Sequence, residues 1–417
     1  MFPPLRFLPP DTAPDAGVLL ATRGVRGFVD GLSSVVLAAY LPLLGFSGLQ
    51  VGMVVTGMLL GSAAMTLAVG VKAGQVARRR LLLLGSLLMI CTGLGFAATT
   101  LLPVIAVIGA IGTMNPTSGD VSVFLPVEQA LLPGTTSAAS RTALFARYSF
   151  VGALAGAFGS LAAHLPETLA HDGSDSLRTV LRLTFLLYSA GGVVAIVLYR
   201  RLSPAIEPSA AERPTPLGAS RSIVLRLAAV FSLDAFGGGF VVQSILALWL
   251  FRRFELSLGA AGTLLFVTGT LSAVSGFAAS WLAARIGLVR TMVFTHLPAN
   301  ALLVAAALVP SLPWALACLI ARSFLSQMDV PARTSYVMAV VSPAERAAAA
   351  STTNVPRSLA GALPPLAAGW MLDHTTFGWP LVIGGVLKAI YDLILLVMFR
   401  HVRPPEEAAR VAKSSVA

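Results

Sequence analysis

The chain has 417 residues, of which 56% are hydrophobic and only 11% are charged. Soluble domains carry about 25% charged residues, so this composition excludes a soluble protein and predicts one that is solvated mainly by lipid. The two cysteines, Cys91 and Cys318, both lie in apolar segments, which excludes a disulfide scaffold and argues against a cysteine-based metal site.

In chain order, a tail over residues 1–22 is followed by apolar segments that are each close to the roughly 20 residues needed to cross a bilayer core. We count twelve, over 23–45, 49–73, 80–98, 101–132, 142–164, 179–199, 222–250, 257–284, 289–309, 313–341, 347–371 and 378–399. The segments predict an all-α integral membrane protein with two six-helix bundles, 23–199 and 222–399. A linker rich in Pro, Ser and charge covers 200–221, and a second tail covers 400–417.

The second bundle repeats the first. The offset between matching positions stays between 204 and 210 residues, as read from the pairs Asp30 with Asp234, Gly52 with Gly262, Arg80 with Arg290, Asp120 with Asp329 and Gly156 with Gly361. A duplicated bundle of apolar helices is typical of alternating-access transporters, in which two halves rock about a site near the bilayer midplane. The repeat therefore predicts function as well as fold.

The Lys and Arg residues that give the net charge of +11 are distributed unequally between the two sides of the membrane in the predicted topology. With both termini in the cytoplasm, 20 of the 29 Lys and Arg residues lie on the cytoplasmic side and four on the outer side. This bias fixes the orientation by the positive-inside rule. The basic excess is thus explained by topology, and we expect no nucleic-acid partner.

Gly and Pro interrupt several of the predicted spans, as in "GTMNPTSGDVSVFLP", "THLPAN" and "GALPPLAAG". Backbone groups freed by such breaks are tolerated at membrane depth only where protein or a watery cavity satisfies them. The fourth and tenth spans are also longer than a simple crossing requires. We therefore predict bent helices at these two spans, lining a cavity.

A basic loop follows the second span of each half, reading "GVKAGQVARRR" in the first copy and "SWLAARIGLVR" in the second. Together with the two six-span halves, these loops resemble the major facilitator superfamily over nearly the whole chain. The resemblance implies a conformational latch, which would fall on Arg78, Arg79, Arg80, Arg285 and Arg290. Gly74, Gln75 and Ala284 stand where the family motif has Asp, Arg and an acidic residue, respectively.

Ionisable residues within spans are costly, about 2.5–3.5 kcal/mol each on insertion scales, and so indicate function or specific pairing. Asp329 and Arg333 are four residues apart on one predicted helix face, as are Lys388 and Asp392, and Arg26 and Asp30. For Lys388 and Asp392 we expect a structural ion pair. Other charged residues have no opposite charge at this spacing and need partners elsewhere: Asp120, Glu128, Asp234, Arg147, Arg322 and Arg357.

The family resemblance implies that spans 1, 4, 7 and 10 line the central cavity, where most of the acidic residues lie. A carboxyl in a medium of low dielectric constant can carry protons, and an ionised one can attract a cation. We predict proton coupling at Asp30, Asp234 and Glu128. Pairing of Glu128 with Arg147, capping of a helix by Asp30 or Asp234, and a proton relay at His296 are further possibilities.

The candidates for solute binding combine charged and hydrogen-bonding side chains, each of which also suits helix–helix bonding. They are Asp120, Asp329, Arg333, Arg147, Arg357, Tyr336, Gln243 and Asn354. No nucleotide fingerprint, zinc cluster or nucleophile elbow is found in the sequence. We therefore expect no enzyme activity, no cofactor and no ATP drive.

These observations predict a monomeric secondary transporter in a bacterial plasma membrane, whose partners are a small-molecule solute, protons and the lipid bilayer. The best-supported activity is proton-coupled export, as an antiporter, of a cationic or amphipathic compound. One alternative is an exchanger or importer of an organic or inorganic anion, bound by Arg147, Arg333 and Arg357. Another is a membrane receptor or assembly factor that binds without transport.

Overall fold

The computed structural model describes residues 7–9, 11–72, 76–117, 122–137, 140–170, 174–207, 217–218, 220–342 and 345–399. Within them the fold is all-α, as predicted, with no strand. The first-half helices are α1 (Pro14–Leu43), α2 (Gly48–Lys72), α3 (Arg78–Ala98), α4 (Leu102–Ile111), α5 (Phe124–Leu131), α6 (Arg141–Ala162), α7 (His164–Leu169) and α8 (Ser174–Tyr199).

The second-half helices are α9 (Arg221–Gly239), α10 (Gln243–Phe254), α11 (Leu258–Ile286), α12 (Leu288–Leu308), α13 (Leu312–Ser326), α14 (Asp329–Ala339), α15 (Arg346–Ala362), α16 (Pro364–His374) and α17 (Trp379–Phe399). In the described part of the chain, nine helical stretches are long and apolar enough to cross a membrane. The protein is thus a multi-pass membrane protein.

Each of the twelve predicted spans coincides with one helix or with two consecutive helices. The largest shift is at the start, where α1 begins at Pro14, within the predicted N-terminal tail. Proline is well suited to this position, because the first turn of a helix has no internal partner for its backbone N–H groups. The sequence pattern missed this extension because it contains Asp15 and Thr22, which interrupt the apolar run.

The predicted bends are confirmed at the fourth and tenth spans. Residues 112–117 separate α4 from the segment that leads to α5, and α13 and α14 are separated at Gln327 and Met328. A similar break at Leu363 separates α15 from α16. The break predicted at "THLPAN" is wrong, because α12 runs through Pro298 without interruption. One missing N–H donor is tolerated there inside a helix whose other backbone bonds persist.

The chain divides into two compact units. Unit 1 comprises Met1–Ala211 together with Gln243–Thr270, and unit 2 comprises Glu212–Val242 together with Leu271–Ala417. Residues Gln243–Thr270 belong by sequence to the second repeat, yet they pack within unit 1. The boundary between the two sequence repeats therefore does not coincide with the boundary between the two packed units.

Unit 1 is built around α1, which packs against α6 and α8, while α3 packs against α8 and α2 against α4. The α1–α6 contact is unusually close because glycines face each other. A Cβ atom added to Gly31 would lie 2.0 Å from the backbone oxygen of Gly156, and one added to Gly159 would lie 1.9 Å from that of Phe28. The "GALAGAFG" stretch therefore serves helix packing.

Unit 2 has the corresponding arrangement. Helix α9 packs against α15 and α17, and α12 packs against α13, α14 and α17. Its apolar core includes Val224, Phe231, Met292, Tyr336 and Leu395. Four of these helices, α9, α12, α14 and α17, also carry buried charged side chains on their facing surfaces, which form the site described next.

Candidate functional site

Asp234 lies on α9 beside a run of glycines that admits a long side chain from α17. A Cβ atom added to Gly237 would lie 2.9 Å from Cγ of Lys388, and one added to Gly238 would lie 3.4 Å from Cε of the same residue. The stem of Lys388 therefore occupies the space that a side chain at position 237 would fill, and it runs past Gly238 at ordinary contact distance. Glycine at position 237 thus allows the ammonium group to reach Asp234.

Two cations bind the carboxylate of Asp234, which is only 3% exposed. Lys388 Nζ donates to Oδ1, and Arg333 Nη1 donates to Oδ2 over 3.0 Å. Arg333 Nη1 also lies 3.1 Å from Oδ2 of Asp329, one turn earlier on α14. A buried charge is tolerated only when it is paired and hydrogen-bonded, and these contacts supply that pairing for all four groups.

His296 of α12 lies between two carboxylates. Its Nδ1 is 2.9 Å from Oδ1 of Asp392, and its Nε2 is 3.9 Å from Oδ1 of Asp234. Asn300, one turn further along α12, donates to Oδ2 of Asp392 over 2.9 Å. With Asp392 ionised, Nδ1 would carry the proton shared with that carboxylate, and Nε2, on the side of Asp234, would be the nitrogen left to gain one. Asn300 Nδ2 also lies 3.2 Å from Nδ1.

We define the buried ionic network by these residues of unit 2: Asp234, His296, Asn300, Asp329, Arg333, Lys388 and Asp392. It joins four helices through side chains that are all buried. The imidazole of His296 is the one member with a ring nitrogen that can either donate or accept a hydrogen bond. A proton gained or lost at His296 would therefore change the charge that these helices share.

Two further arginines lie near the network without joining it. Arg322 on α13 interacts electrostatically with Asp234, and Arg357 on α15 interacts with Arg333, Asp234 and Asp329. Both side chains are partly accessible. No hydrogen bond or ion pair joins either guanidinium to another residue in the described part of the chain, and the Nε atom of each is buried.

Glu128, in unit 1, has a different environment from the one the sequence led us to expect. Its carboxylate is fully buried and accepts hydrogen bonds from Arg26, Tyr148 and Tyr199, and Thr22 Oγ1 lies 2.9 Å from Oε1. The predicted pairing with Arg147 is wrong, since Arg26 is the cation that binds it. A carboxylate held by so many donors favours structural joining of α1, α5, α6 and α8 over proton coupling.

The remaining charged candidates of unit 1 are placed as follows. Asp30 is buried on α1 with 8% exposure, on the stretch that packs against α6. Arg147 on α6 is partly accessible, and its buried Nη1 atom has no hydrogen-bond partner among the described residues. Asp120 lies outside the described residues.

The uncharged candidates are divided between the two units. Gln243 donates to Ser160 over 3.0 Å inside unit 1, and Asn354 is exposed on α15. Tyr336 is fully buried in the core of unit 2, where its ring lies edge-on to Phe399 with 6.1 Å between ring centroids. These positions favour packing for Gln243 and Tyr336 in place of the solute binding predicted from sequence.

The predicted latch residues of the first loop bond to their own unit. Glu207 accepts hydrogen bonds from the backbone N–H groups of Arg78 and Arg79, over 3.0 and 2.9 Å, and so caps the N-terminus of α3. The guanidinium of Arg79 also donates to the backbone oxygen of Tyr199 over 3.2 Å, while Arg80 is exposed. These contacts hold α3 against the end of α8.

In the second loop, the guanidinium of Arg285 stacks over the ring of Trp281 at 3.9 Å from its centroid. Arg290 is exposed at the start of α12. A latching role for the five arginines stays a prediction from the sequence.

The sequence identified all five charged members of the network, but of their connections it indicated only the contact between Asp329 and Arg333. His296 was only a weaker candidate, and Asn300 was missed because a single amide in an apolar segment gives no distinctive pattern. Lys388 and Asp392 were expected to pair with each other at their four-residue spacing. In the structure Lys388 donates to Asp234, and Asp392 bonds to His296 and Asn300.

Comparison with known proteins gives consistent matches along the whole chain. The family model described as Major Facilitator Superfamily matches residues 19–328 and 228–416. An uncharacterized membrane protein of Saccharomyces cerevisiae is 23% identical over 424 residues, which cover 92% of this chain and 94% of that protein. The multidrug efflux protein YfmO of Bacillus subtilis is 24% identical over 381 residues, which cover 89% of each chain.

Among solved structures, the inward open conformation of the xylose transporter XylE from E. coli superposes with a TM-score of 0.72. The match covers 91% of this chain and 95% of that chain at 12% sequence identity. At this identity the likeness concerns the fold alone.

Proposed function

The chain belongs to the Major Facilitator Superfamily and is a secondary transporter, and we propose that it exports a small amphipathic solute in exchange for protons. The similarity to a multidrug efflux protein over 89% of the chain supports export. From the distribution of Lys and Arg we also propose that both termini lie in the cytoplasm, in a bacterial plasma membrane. The matching relatives come from both a yeast and a bacterium.

The observation that carries proton coupling is the position of His296 between Asp392 and Asp234. Protonation at Nε2 would place an imidazolium beside Asp234, where it competes with Arg333 and Lys388 for the same carboxylate. Weaker binding of these two cations would loosen the bonds that join α9 to α14 and α17. A proton is thereby coupled to the relative positions of helices, which is what alternating access requires.

Asp234 on α9 and Asp392 on α17 face the ring nitrogens of His296, and Tyr391 on α17 contacts its ring. The further ionisable groups interact with Asp234 or its partners: Arg322 on α13, Asp329 and Arg333 on α14, Arg357 on α15 and Lys388 on α17. Asp30, the repeat mate of Asp234, is buried at the matching place on α1 and is our second proposed proton-binding group.

The protein reconstituted in liposomes that hold a pH-sensitive dye tests this proposal. We expect that an outward gradient of a transported solute drives proton movement in the opposite direction, and that an imposed pH gradient drives solute uphill. A panel of anionic, cationic and neutral amphipathic solutes identifies the transported class. Solute flux that ignores the pH gradient would contradict proton coupling, and binding without flux would contradict transport.

A further inference from the structure

The formal charges of the ionisable side chains in and around the buried ionic network do not sum to zero. With His296 neutral, four cations and three carboxylates share this part of unit 2, which leaves one positive charge in excess. The cations are Arg322, Arg333, Arg357 and Lys388, and the carboxylates are Asp234, Asp329 and Asp392. An interior of low dielectric constant favours a counter-charge for such an excess.

The carboxylates of the network are already engaged. Asp234 binds two cations, Asp329 binds Arg333, and Asp392 accepts from His296 and Asn300. A cationic solute would have to displace a cation of the protein from one of them. The structure therefore gives no support to the cationic solute favoured by the sequence.

The two arginines outside the network, in contrast to these carboxylates, are not engaged by a bonding partner in the described part of the chain. Arg322 and Arg357 make no hydrogen bond or ion pair with any described residue, although the Nε atom of each is shielded from water. Burying an N–H donor without an acceptor is unfavourable, so both side chains gain free energy from any acceptor that reaches them. Both side chains remain partly accessible.

We propose that Arg322 and Arg357 bind the anionic headgroup, a carboxylate or a phosphate, of the transported solute. The inference rests on the proposed function, because it names the charged end of the molecule that this transporter would carry. The planar guanidinium presents a fork of N–H donors that matches the oxygens of carboxylate and phosphate, and these charge-assisted bonds are stronger than neutral ones.

The charge balance also sets the charge expected of the headgroup. One negative charge neutralises the positive excess while His296 is neutral.

Binding to the purified full-length protein tests the anion site without any need for transport. The probe is hexyl phosphate, and hexyltrimethylammonium is the cationic counterpart with the same alkyl chain. We expect the wild-type protein to bind hexyl phosphate more tightly than the cation. Arg322→Gln and Arg357→Gln should each weaken hexyl phosphate binding by at least about tenfold, while the exposed Arg221→Gln should leave it unchanged.

Arg357→Lys keeps the charge but removes the fork, and we expect binding between that of the wild type and that of Arg357→Gln. A thermal melt of each variant shows whether it is folded, and the lysine variant carries the test if the glutamine variant is not. Equal binding of hexyl phosphate by folded Arg322→Gln, Arg357→Gln and wild type would overturn the proposal. Tighter binding of the cation by the wild type would also overturn it.

The same phosphate chemistry can come from a lipid, and nanodiscs of defined composition separate the sources. In phosphatidylcholine alone, hexyl phosphate should bind through Arg322 and Arg357. Competition by phosphatidylglycerol would identify a lipid headgroup as an occupant of the same anion site. Anion binding without solute-driven proton movement would contradict the proposed function but support the anion site. Proton-coupled transport of cations alone would support the proposed function but contradict the anion site.

Discussion

Glu345 shows how a single carboxylate fastens the chain outside the membrane spans. It precedes α15 and accepts hydrogen bonds from the backbone N–H of Gly218, from Ser220 Oγ over 2.7 Å and from Ser342 Oγ over 2.9 Å. These donors, the Gly218 N–H foremost, lower the pKa of Glu345 from 4.5 to about 2. The carboxylate therefore ties the segment before α9 to the start of α15.

Glu345→Gln should lower the melting temperature of the purified protein at pH 6 and have a smaller effect in acid. Because the pKa in the folded protein is lowered, the stabilisation is fully present above pH 4.5 and is lost as the pH falls toward about 2. Thermal melts of the wild type and the variant between pH 6 and pH 3 measure the difference. A difference in melting temperature that stays constant over this range would contradict the assignment.

At the residue scale, the sequence identifies the important side chains more reliably than it identifies their contacts. The cost of burying charge marks Glu128, Asp234 and Lys388 without any structural information. Their partners lie 102 residues away for Glu128 and 154 residues away for Asp234. Such contacts depend on how each helix is rotated about its axis, and hydrophobic segments of nearly uniform composition leave that rotation undefined.

At the element scale, the contact between α1 and α6 depends on glycine in an asymmetric way. An added Cβ at Gly31 would meet the backbone of Gly156 at 2.0 Å, whereas an added Cβ at Gly156 would lie 3.4 Å from the backbone oxygen of Gly27. The first position has no space for a methyl group, because the opposing atoms are backbone. The second accommodates one at ordinary van der Waals distance.

Gly31→Ala should therefore destabilise the protein by about 1–3 kcal/mol, because α1 and α6 must separate to admit the methyl group. Gly156→Ala, the matched control on the facing helix, should be neutral or slightly stabilising, since alanine favours helix by about 1 kcal/mol over glycine. Unfolding in detergent measures both variants. Equal destabilisation by the two would show that the helices do not meet in this register.

Helix boundaries were predictable because apolar length and interruptions by Gly or Pro are visible in the sequence. The breaks at the fourth and tenth spans were predicted for this reason, and both are present. The continuity of α12 through Pro298 was not predictable, because a proline ends one helix and is accommodated in another depending on its neighbours. The glycine contacts of α1 and α6 likewise needed the three-dimensional arrangement.

At the scale of the whole molecule, sequence repeat and packing differ over Gln243–Thr270. This stretch packs in unit 1 through a hydrogen bond from Gln243 to Ser160 and through a ring contact between Phe158 and Phe266. A Cβ atom added to Gly262 would lie 2.4 Å from the backbone oxygen of Ser160, so the contact is as close as glycine permits. Alternating access would require such packing to open and close during transport.

Proton movement driven by a solute gradient in liposomes, compared between wild type and His296→Asn, is the most direct test of coupling through the buried ionic network. Asparagine keeps a hydrogen-bond donor near Asp392 but cannot take up a proton. We expect this variant to move solute without moving protons. Asp175→Asn, at a side chain that is 92% exposed, should couple as the wild type does. An unchanged ratio of protons to solute in folded His296→Asn would contradict the role assigned to the network.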